Sequence, residues 1–243
     1  MIRCIAAEWM KLKHSRIWLI LIILPIISVL IGSANFFMNQ GVLQNEWYSL
    51  WSQVSLFYGE FFFPLLIAIC CAYVWRLEHF NHNWYMIMTA PVKRTSIFIA
   101  KIAVVSLLLF FVQGFFFILY IIAGNIIGLS TEIPGELVGW FLRGWMASIT
   151  IGTLQLALSM RFRSFALPIG IGLCATIFGL AMYIAELGMF FPHSLLTIGM
   201  GVLSQSGLSS FSEHLQFLIT NILYILVIGL LATNWLRRTD IVA

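Results

Sequence analysis

Two histidines are the first residues in this chain whose types and spacing suggest chemistry. His79 and His82 are three positions apart, which places both imidazoles on one face of a helix, as in some zinc sites. No H-E-x-x-H sequence and no further cluster of ligands accompanies the pair. The sequence therefore predicts no metal site.

Several serines near histidines suggest a second kind of chemistry, that of a membrane-embedded hydrolase. They are Ser206, Ser209 and Ser210, with His193 and His214 nearby in the chain. A serine hydrolase of the common type would need a G-x-S-x-G turn and an oxyanion hole, and neither is indicated. Small polar residues of a turn are the favoured interpretation, and the hydrolase stays a rival hypothesis.

A nucleotide-binding site is not encoded in the chain. A P-loop requires G-x-x-x-x-G-K-[ST], whereas none of the four lysines follows a glycine; they are Lys11, Lys13, Lys93 and Lys101. We therefore expect no enzymatic activity and no cofactor in this chain. If ATP drives its work, a separate ATPase subunit binds the ATP and Mg²⁺.

The composition is that of an integral membrane protein. Hydrophobic residues make up 61% of the 243 residues and charged residues 9%, and the mean hydropathy is +1.00. The surface of a soluble domain needs about a quarter charged residues. The basic residues gather in particular loops and form no extended face, which argues against a nucleic-acid partner and for a lipid bilayer.

Six apolar runs are each long enough, at about 1.5 Å per helical residue, to cross a hydrocarbon core of about 30 Å. They are Ile17 to Phe37, Gln53 to Trp75, Ser96 to Ala123, Trp140 to Met160, Phe165 to Leu187, and Leu215 to Leu236. The predicted fold is an all-α polytopic membrane protein with six transmembrane helices, forming one domain over residues 1–243.

The first sixteen residues predict an amphipathic elbow helix that lies in the membrane interface. Ile2, Ile5, Trp9 and Leu12 recur at helical spacing, with basic residues elsewhere around the helix. The helix is expected to turn into the first span near residue 16.

The distribution of charge predicts that both termini are cytoplasmic. With the N-terminus inside, six crossings place every basic residue except Arg143 on the cytoplasmic side, while Glu46, Glu132, Glu136 and Glu213 lie outside. Lys101, at the start of the third run, is expected to extend its ammonium group to the headgroups.

The segment of residues 76–95, between the second and third runs, is the largest predicted cytoplasmic surface. Leu77, Phe80, Trp84 and Ile87 or Met88 fall on one helical face, and Pro91 ends the helix. The periodicity is equally compatible with a helix that binds a partner protein and with an interfacial linker that binds none.

Residues 188–213, between the last two runs, are too apolar for a solvated loop and too rich in Gly and Pro for another span. They predict short re-entrant or interfacial helices on the outer side.

Glu60 is the acidic residue expected inside a span, where a charge is costly unless it faces protein or water. It is expected either to line a pathway or permease interface or to reach the outer interface as a protonated or snorkelling carboxyl. Gln113, Gln155 and Asn221 are further polar candidates for a pathway, although interhelical hydrogen bonds explain such residues more simply.

The segment between the second and third runs contains Glu78, Asn81 or Asn83, Trp84, Pro91-Val92-x-Arg94, Ile97 and Ala100-Lys101. The chain opens with Glu8-x-x-Lys11-x-Lys13, followed by Pro25 in the first span. In these residues the chain resembles ABC-2 type exporter permeases, especially the lantibiotic-immunity permease family, and the resemblance extends over essentially the whole chain.

The resemblance implies a permease with a coupling helix between spans two and three, whose ATPase-coupling residues are Glu78, Trp84, Pro91 and Arg94. Two permeases, identical or paralogous, would bind two ABC ATPase subunits in a bacterial plasma membrane. The cargo would be an antimicrobial peptide expelled from the membrane for immunity or resistance. A lipid or another amphipathic substrate is the alternative.

Overall fold

Helices account for all regular secondary structure in the part of the chain that the structure describes. This computed structural model describes residues 1–13, 15–79, 92–130, 132–204 and 208–238. The helices are α1 (Ile2–Lys13), α2 (Ile17–Met38), α3 (Glu46–Phe57), α4 (Phe63–His79), α5 (Arg94–Ile127), α6 (Leu137–Arg161), α7 (Ala166–Ile184), α8 (Ser194–Met200) and α9 (Phe211–Arg238). The prediction of an all-α protein is confirmed.

Five helical segments among the described residues are long and apolar enough to cross a membrane. They are Ile17–Met38, Glu46–His79, Arg94–Ile127, Ala166–Ile184 and Phe211–Arg237. The second is continuous because a π-helical turn, Tyr58–Phe62, joins α3 to α4. This segment begins at Glu46, seven residues before the predicted start at Gln53. Trp47, Leu50 and Trp51 are buried in the core, but the polar residues between them interrupt the apolar run in the sequence.

The fourth predicted run forms α6, which is less apolar than the five segments above. Its buried polar side chains are Ser148, Thr150, Thr153, Gln155 and Ser159. It runs antiparallel to α5, since the Trp145 indole donates to the Ser106 carbonyl and the Gln113 amide donates to the Phe141 carbonyl. Apolar length alone does not identify α6 as a span, because its inner face is polar.

The predicted N-terminal helix is present as α1. It buries Glu8 and Leu12, whereas Ile2, at the start of the predicted apolar stripe, is 82% exposed. The Trp18 indole donates a 3.0 Å hydrogen bond to the Leu12 carbonyl, which ties the end of α1 to the start of α2. The helix is therefore anchored through its second half.

The predicted outer segment of residues 188–213 contains a 3-10 turn, Gly188–Phe190, followed by α8. Leu195, Leu196 and Met200 of α8 have no exposed surface. Gly201, with a φ of 59°, ends the helix in the left-handed conformation. α8 thus lies inside the bundle.

Candidate functional site

The two ends of the bundle differ sharply in charge. One end gathers α1, the C-terminal ends of α4, α6 and α9, and the N-terminal ends of α5 and α7, as their mutual contacts show. Every basic residue whose side chain is described, except Arg143, lies at this basic end: Arg3, Lys11, Lys13, Arg16, Arg76, Lys93, Arg94, Lys101, Arg161, Arg163 and Arg237. The opposite end holds Glu46, Glu132, Glu136 and Glu213.

A buried ion-pair cluster of Glu8, Lys11, Glu78 and Lys101 lies at the basic end. The Lys101 ammonium nitrogen is 2.7 Å from Glu8 Oε2 and 2.7 Å from Glu78 Oε1. Lys11 Nζ is 2.7 Å from Glu8 Oε1 and 2.5 Å from the same Glu78 oxygen. Two cations and two anions thus alternate, and the cluster joins α1, α4 and α5 with no net charge.

Lys101 is the most deeply buried member of the ion-pair cluster. Its side chain has 0% exposure, and its ammonium group also lies 3.5 Å from the Val74 carbonyl oxygen and 4.8 Å from the Trp75 ring centroid. The prediction that it extends to the headgroups is wrong. Two carboxylates inside the protein neutralise it, so it has no need to reach water.

Lys11 is the exposed edge of the ion-pair cluster, with 35% of its side chain accessible. Partial burial lowers its pKa, but the hydrogen bonds to Glu78 and Glu8 and the attraction of their charges more than offset this, so the pKa is raised overall. Lys11 is therefore held in its charged form by the two carboxylates.

Two of the predicted coupling residues lie on either side of residues 80–91 and bind other helices. Glu78 is 1% exposed and belongs to the ion-pair cluster. Arg94 Nη1 donates to the carbonyls of Leu236 and Arg237, at 3.0 and 3.1 Å, where α9 ends. The other two, Trp84 and Pro91, lie outside the described residues, and the coupling role of all four stays a prediction.

Glu60 lies in the π-helical turn and is 4% exposed. Its Oε1 accepts a 2.6 Å hydrogen bond from the Thr197 hydroxyl of α8. Glu60 therefore links the π-helical turn to α8 of the same chain.

The other polar residues predicted within spans form hydrogen bonds between helices. Gln113 donates to the Phe141 carbonyl at 3.0 Å, and Gln155 donates to the Pro168 carbonyl. Asn221 accepts a 2.6 Å bond from the Thr150 hydroxyl. These bonds tie α6 to α5, α7 and α9, and a pathway role for the three residues stays a prediction.

In the part of the chain that the structure describes, the serine hydroxyls considered for hydrolytic chemistry bond Glu213. Ser209 Oγ donates to Glu213 Oε2, and Ser210 Oγ accepts from the Glu213 N–H, while His214 lies 2.9 Å from the Ser210 carbonyl oxygen and 3.4 Å from Arg143. His193 is buried, which lowers its pKa to about 4. Ser206 and His82 lie outside the described residues. Within the described ranges no three metal-binding side chains come together.

Sequence reasoning missed the ion-pair cluster as a unit, although it named each of its members. A signal was present: Lys101 follows Ala100 inside an apolar helix, where a lysine either reaches the headgroups or pairs with an acidic residue. Glu78 and Glu8 were the acidic residues nearest the same side. The ion pair between Glu8 and Lys101 could not be recognised from the sequence because the two residues are 93 positions apart.

These features define a multi-pass helical membrane protein. Within that class, a family model described as ABC-2 family transporter protein matches residues 4–179, and the chain belongs to this family. The match includes all four members of the ion-pair cluster and ends within α7. Membership implies partnership with an ABC ATPase. None of the curated proteins compared with the chain matches it.

Proposed function

We propose that the chain is the membrane-spanning permease subunit of an ATP-driven exporter in a bacterial plasma membrane. Its partners are ABC ATPase subunits, which bind ATP and Mg²⁺, and a second permease, identical or paralogous. Its cargo is an antimicrobial, lantibiotic-like peptide that it expels from the membrane. Family membership supports the permease role. The resemblance of residues 76–101 and of the N-terminal segment to lantibiotic-immunity permeases supports the cargo.

The proposed topology has six spans with both termini in the cytoplasm. The direction of α6 supports its role as a span, because it is antiparallel to α5 and parallel to α4. The parallel direction follows from two bonds of α4, in which Cys71 bonds the Gly152 carbonyl and His79 bonds the Ser159 carbonyl. At 25 residues it is about 37 Å long, enough to cross a bilayer. The basic end supports the orientation, since positive charge favours the cytoplasmic side.

The observation that carries the permease proposal is the way in which the helices flanking residues 80–91 are held. The ion-pair cluster joins Glu78, at the end of α4, to Lys101, in the first turns of α5, and both to α1. Arg94 joins the start of α5 to the end of α9. A force that a bound ATPase applies to residues 80–91 would therefore move four helices together, and nucleotide binding would reach the spans.

The test compares Trp84→Ala with Trp84→Phe in the permease co-expressed with its ATPase and its second permease. Trp84→Ala should reduce co-purification of the ATPase at least tenfold, because a buried aromatic anchor typically contributes 2 kcal/mol or more to an interface. Trp84→Phe should retain most of it. Equal co-purification by wild type and Trp84→Ala would refute the coupling role.

The cargo is tested separately, by growth of cells carrying the complete complex in increasing concentrations of a lantibiotic. The complex should raise the inhibitory concentration, and an ATPase variant without hydrolytic activity should abolish the protection. Loss of protection with the ATPase still bound would confirm energy coupling. Absence of any protection by an assembled, ATP-hydrolysing complex would refute the peptide cargo and leave the permease assignment intact.

A further inference from the structure

The short helix α8 is held in place by side chains from three other elements. The Trp51 indole of α3 donates a 3.0 Å bond to the Met200 carbonyl, and Arg143 Nε of α6 donates a 3.1 Å bond to the Gly199 carbonyl. Glu60 accepts the third bond from Thr197. A helix of seven residues is not stable alone, so these contacts and its buried apolar side chains determine where α8 lies.

The bond to Glu60 depends on the π-helical turn. Tyr58, Gly59 and Glu60 are consecutive and all buried, which the extra residue of a π turn permits. A Cβ at Gly59 would approach the Val202 side chain to 2.9 Å, so the turn packs directly against the chain that follows α8. Conversion of the turn to α-helical geometry would rotate the part of the helix before the turn by about 100° relative to the part after it, and this rotation would separate Glu60 from Thr197.

The same helix carries a second buried carboxylate at the basic end. Glu60 and Glu78 lie on the continuous segment Glu46–His79, about 27 Å apart along its axis. Each binds a group on another element: Thr197 of α8 at one position, Lys11 and Lys101 at the other. The rotation of this segment is thus fixed at two distant points, one of which lies inside the π turn.

We propose that Glu46–His79 is a conformational relay, in which the ion-pair cluster sets the rotation of α4 and the π turn transmits that rotation to α8 through the Glu60–Thr197 bond. Glu60 is then a positioning residue for α8. The relay is a property of the permease chain alone, so it does not depend on the identity of the cargo or on the binding of the ATPase.

The outer half of the relay is tested by hydrogen–deuterium exchange of the full-length chain in lipid nanodiscs, monitored in peptides that cover residues 194–200. Thr197→Val should speed exchange there about tenfold, the effect of losing one buried hydrogen bond. Thr197→Ser retains the hydroxyl and should behave as wild type. The control is Thr176→Val, because the Thr176 hydroxyl donates to the Gly172 carbonyl of its own helix, and its loss should leave α8 unchanged.

The transmission is tested by Glu78→Asp, which shortens the carboxylate by one methylene at the other end of the relay. It should speed exchange of α8 at least threefold, and the double variant with Thr197→Val should be no faster than Thr197→Val alone. If Glu78→Asp does not fold, Glu8→Asp disturbs the same cluster from α1. Arg161→Gln, at the basic end but on α6, is the control. Unchanged α8 exchange in the cluster variants, additive effects in the double variant, or an equal effect of Arg161→Gln would overturn the relay.

Discussion

Replacing Lys101 with methionine should destabilise the protein more than almost any other single change. Methionine preserves most of the volume of the side chain, so packing against Trp75 is largely retained. The charge balance is lost, because Lys11 would be the remaining lysine of the cluster for both Glu8 and Glu78, and its side chain is one-third exposed. One buried carboxylate would then be left unpaired. Breaking a buried ion pair from one side costs about 3–5 kcal/mol.

The matched variant is the double substitution Lys101→Met with Glu78→Gln, which removes one cation and one anion. Glu8 and Lys11 then remain as a neutral pair at 2.7 Å. Replacement of both partners of a buried pair is often close to neutral, so the double variant should recover most of the loss. In a chain of this size, 3–5 kcal/mol corresponds to a fall of about 6–20 °C in the melting temperature.

The assay is thermal unfolding of the purified chain in a mild detergent, followed by size-exclusion chromatography of a fluorescent fusion. Wild type, the Lys101→Met variant and the double variant are compared at equal ionic strength. A melting temperature for Lys101→Met within 2 °C of wild type would show that water or detergent neutralises the carboxylate. A double variant no more stable than the single one would show that charge balance is not the source of the loss.

Two further predictions concern the opposite end of the bundle. Gly124→Ala should lower the free energy of unfolding by about 1–3 kcal/mol, because the added Cβ would overlap the buried Trp47 ring, whose indole donates to the Ser130 carbonyl. The control is Gly170→Ala, where no atom lies within 4 Å of the added Cβ; it should be neutral or stabilising in the same melting assay. Acidification should destabilise the protein through His193, whose pKa burial lowers from 6.5 to about 4. Since the unfolded chain binds more protons than the folded one in this window, this contribution to stability is complete above pH 6.5 and is lost as the pH falls towards 4, by about 2 kcal/mol at pH 5. His193→Gln should flatten the dependence of the melting temperature on pH between 7 and 5, and an unchanged slope would count against this assignment.

The helical class and the approximate position of most long helices could be predicted because they follow from apolar length alone. The run Ile17 to Phe37, for example, differs from α2 by one residue at its end. The same criterion failed for Glu46 to Ser52, where only one side of the helix is apolar and the buried Trp47 and Trp51 are separated by polar residues. Patterns of burial on one face are weaker signals than continuous apolar runs.

The candidate site was predictable as individual charges and not as an arrangement. Glu78 and Lys101 are both near the ends of predicted spans, where snorkelling is the ordinary expectation for a lysine. Only the three-dimensional packing of α1 against α5 brings Glu8 within 2.7 Å of Lys101 and makes the cluster neutral. The bond between Glu60 and Thr197 was hidden for the same reason, since 137 residues separate them.

The separation of 93 residues between Glu8 and Lys101 also has a consequence for biogenesis. During synthesis α1 emerges before α5, whose Lys101 is made only after the two long helical segments that lie between them in the chain. Until then Lys11 is the one lysine of the cluster that can balance Glu8 and, once α4 is made, Glu78. The cluster therefore becomes neutral only at a late step of assembly, and an excess of negative charge between α1 and α4 is expected to mark chains whose third long helix has not yet been integrated.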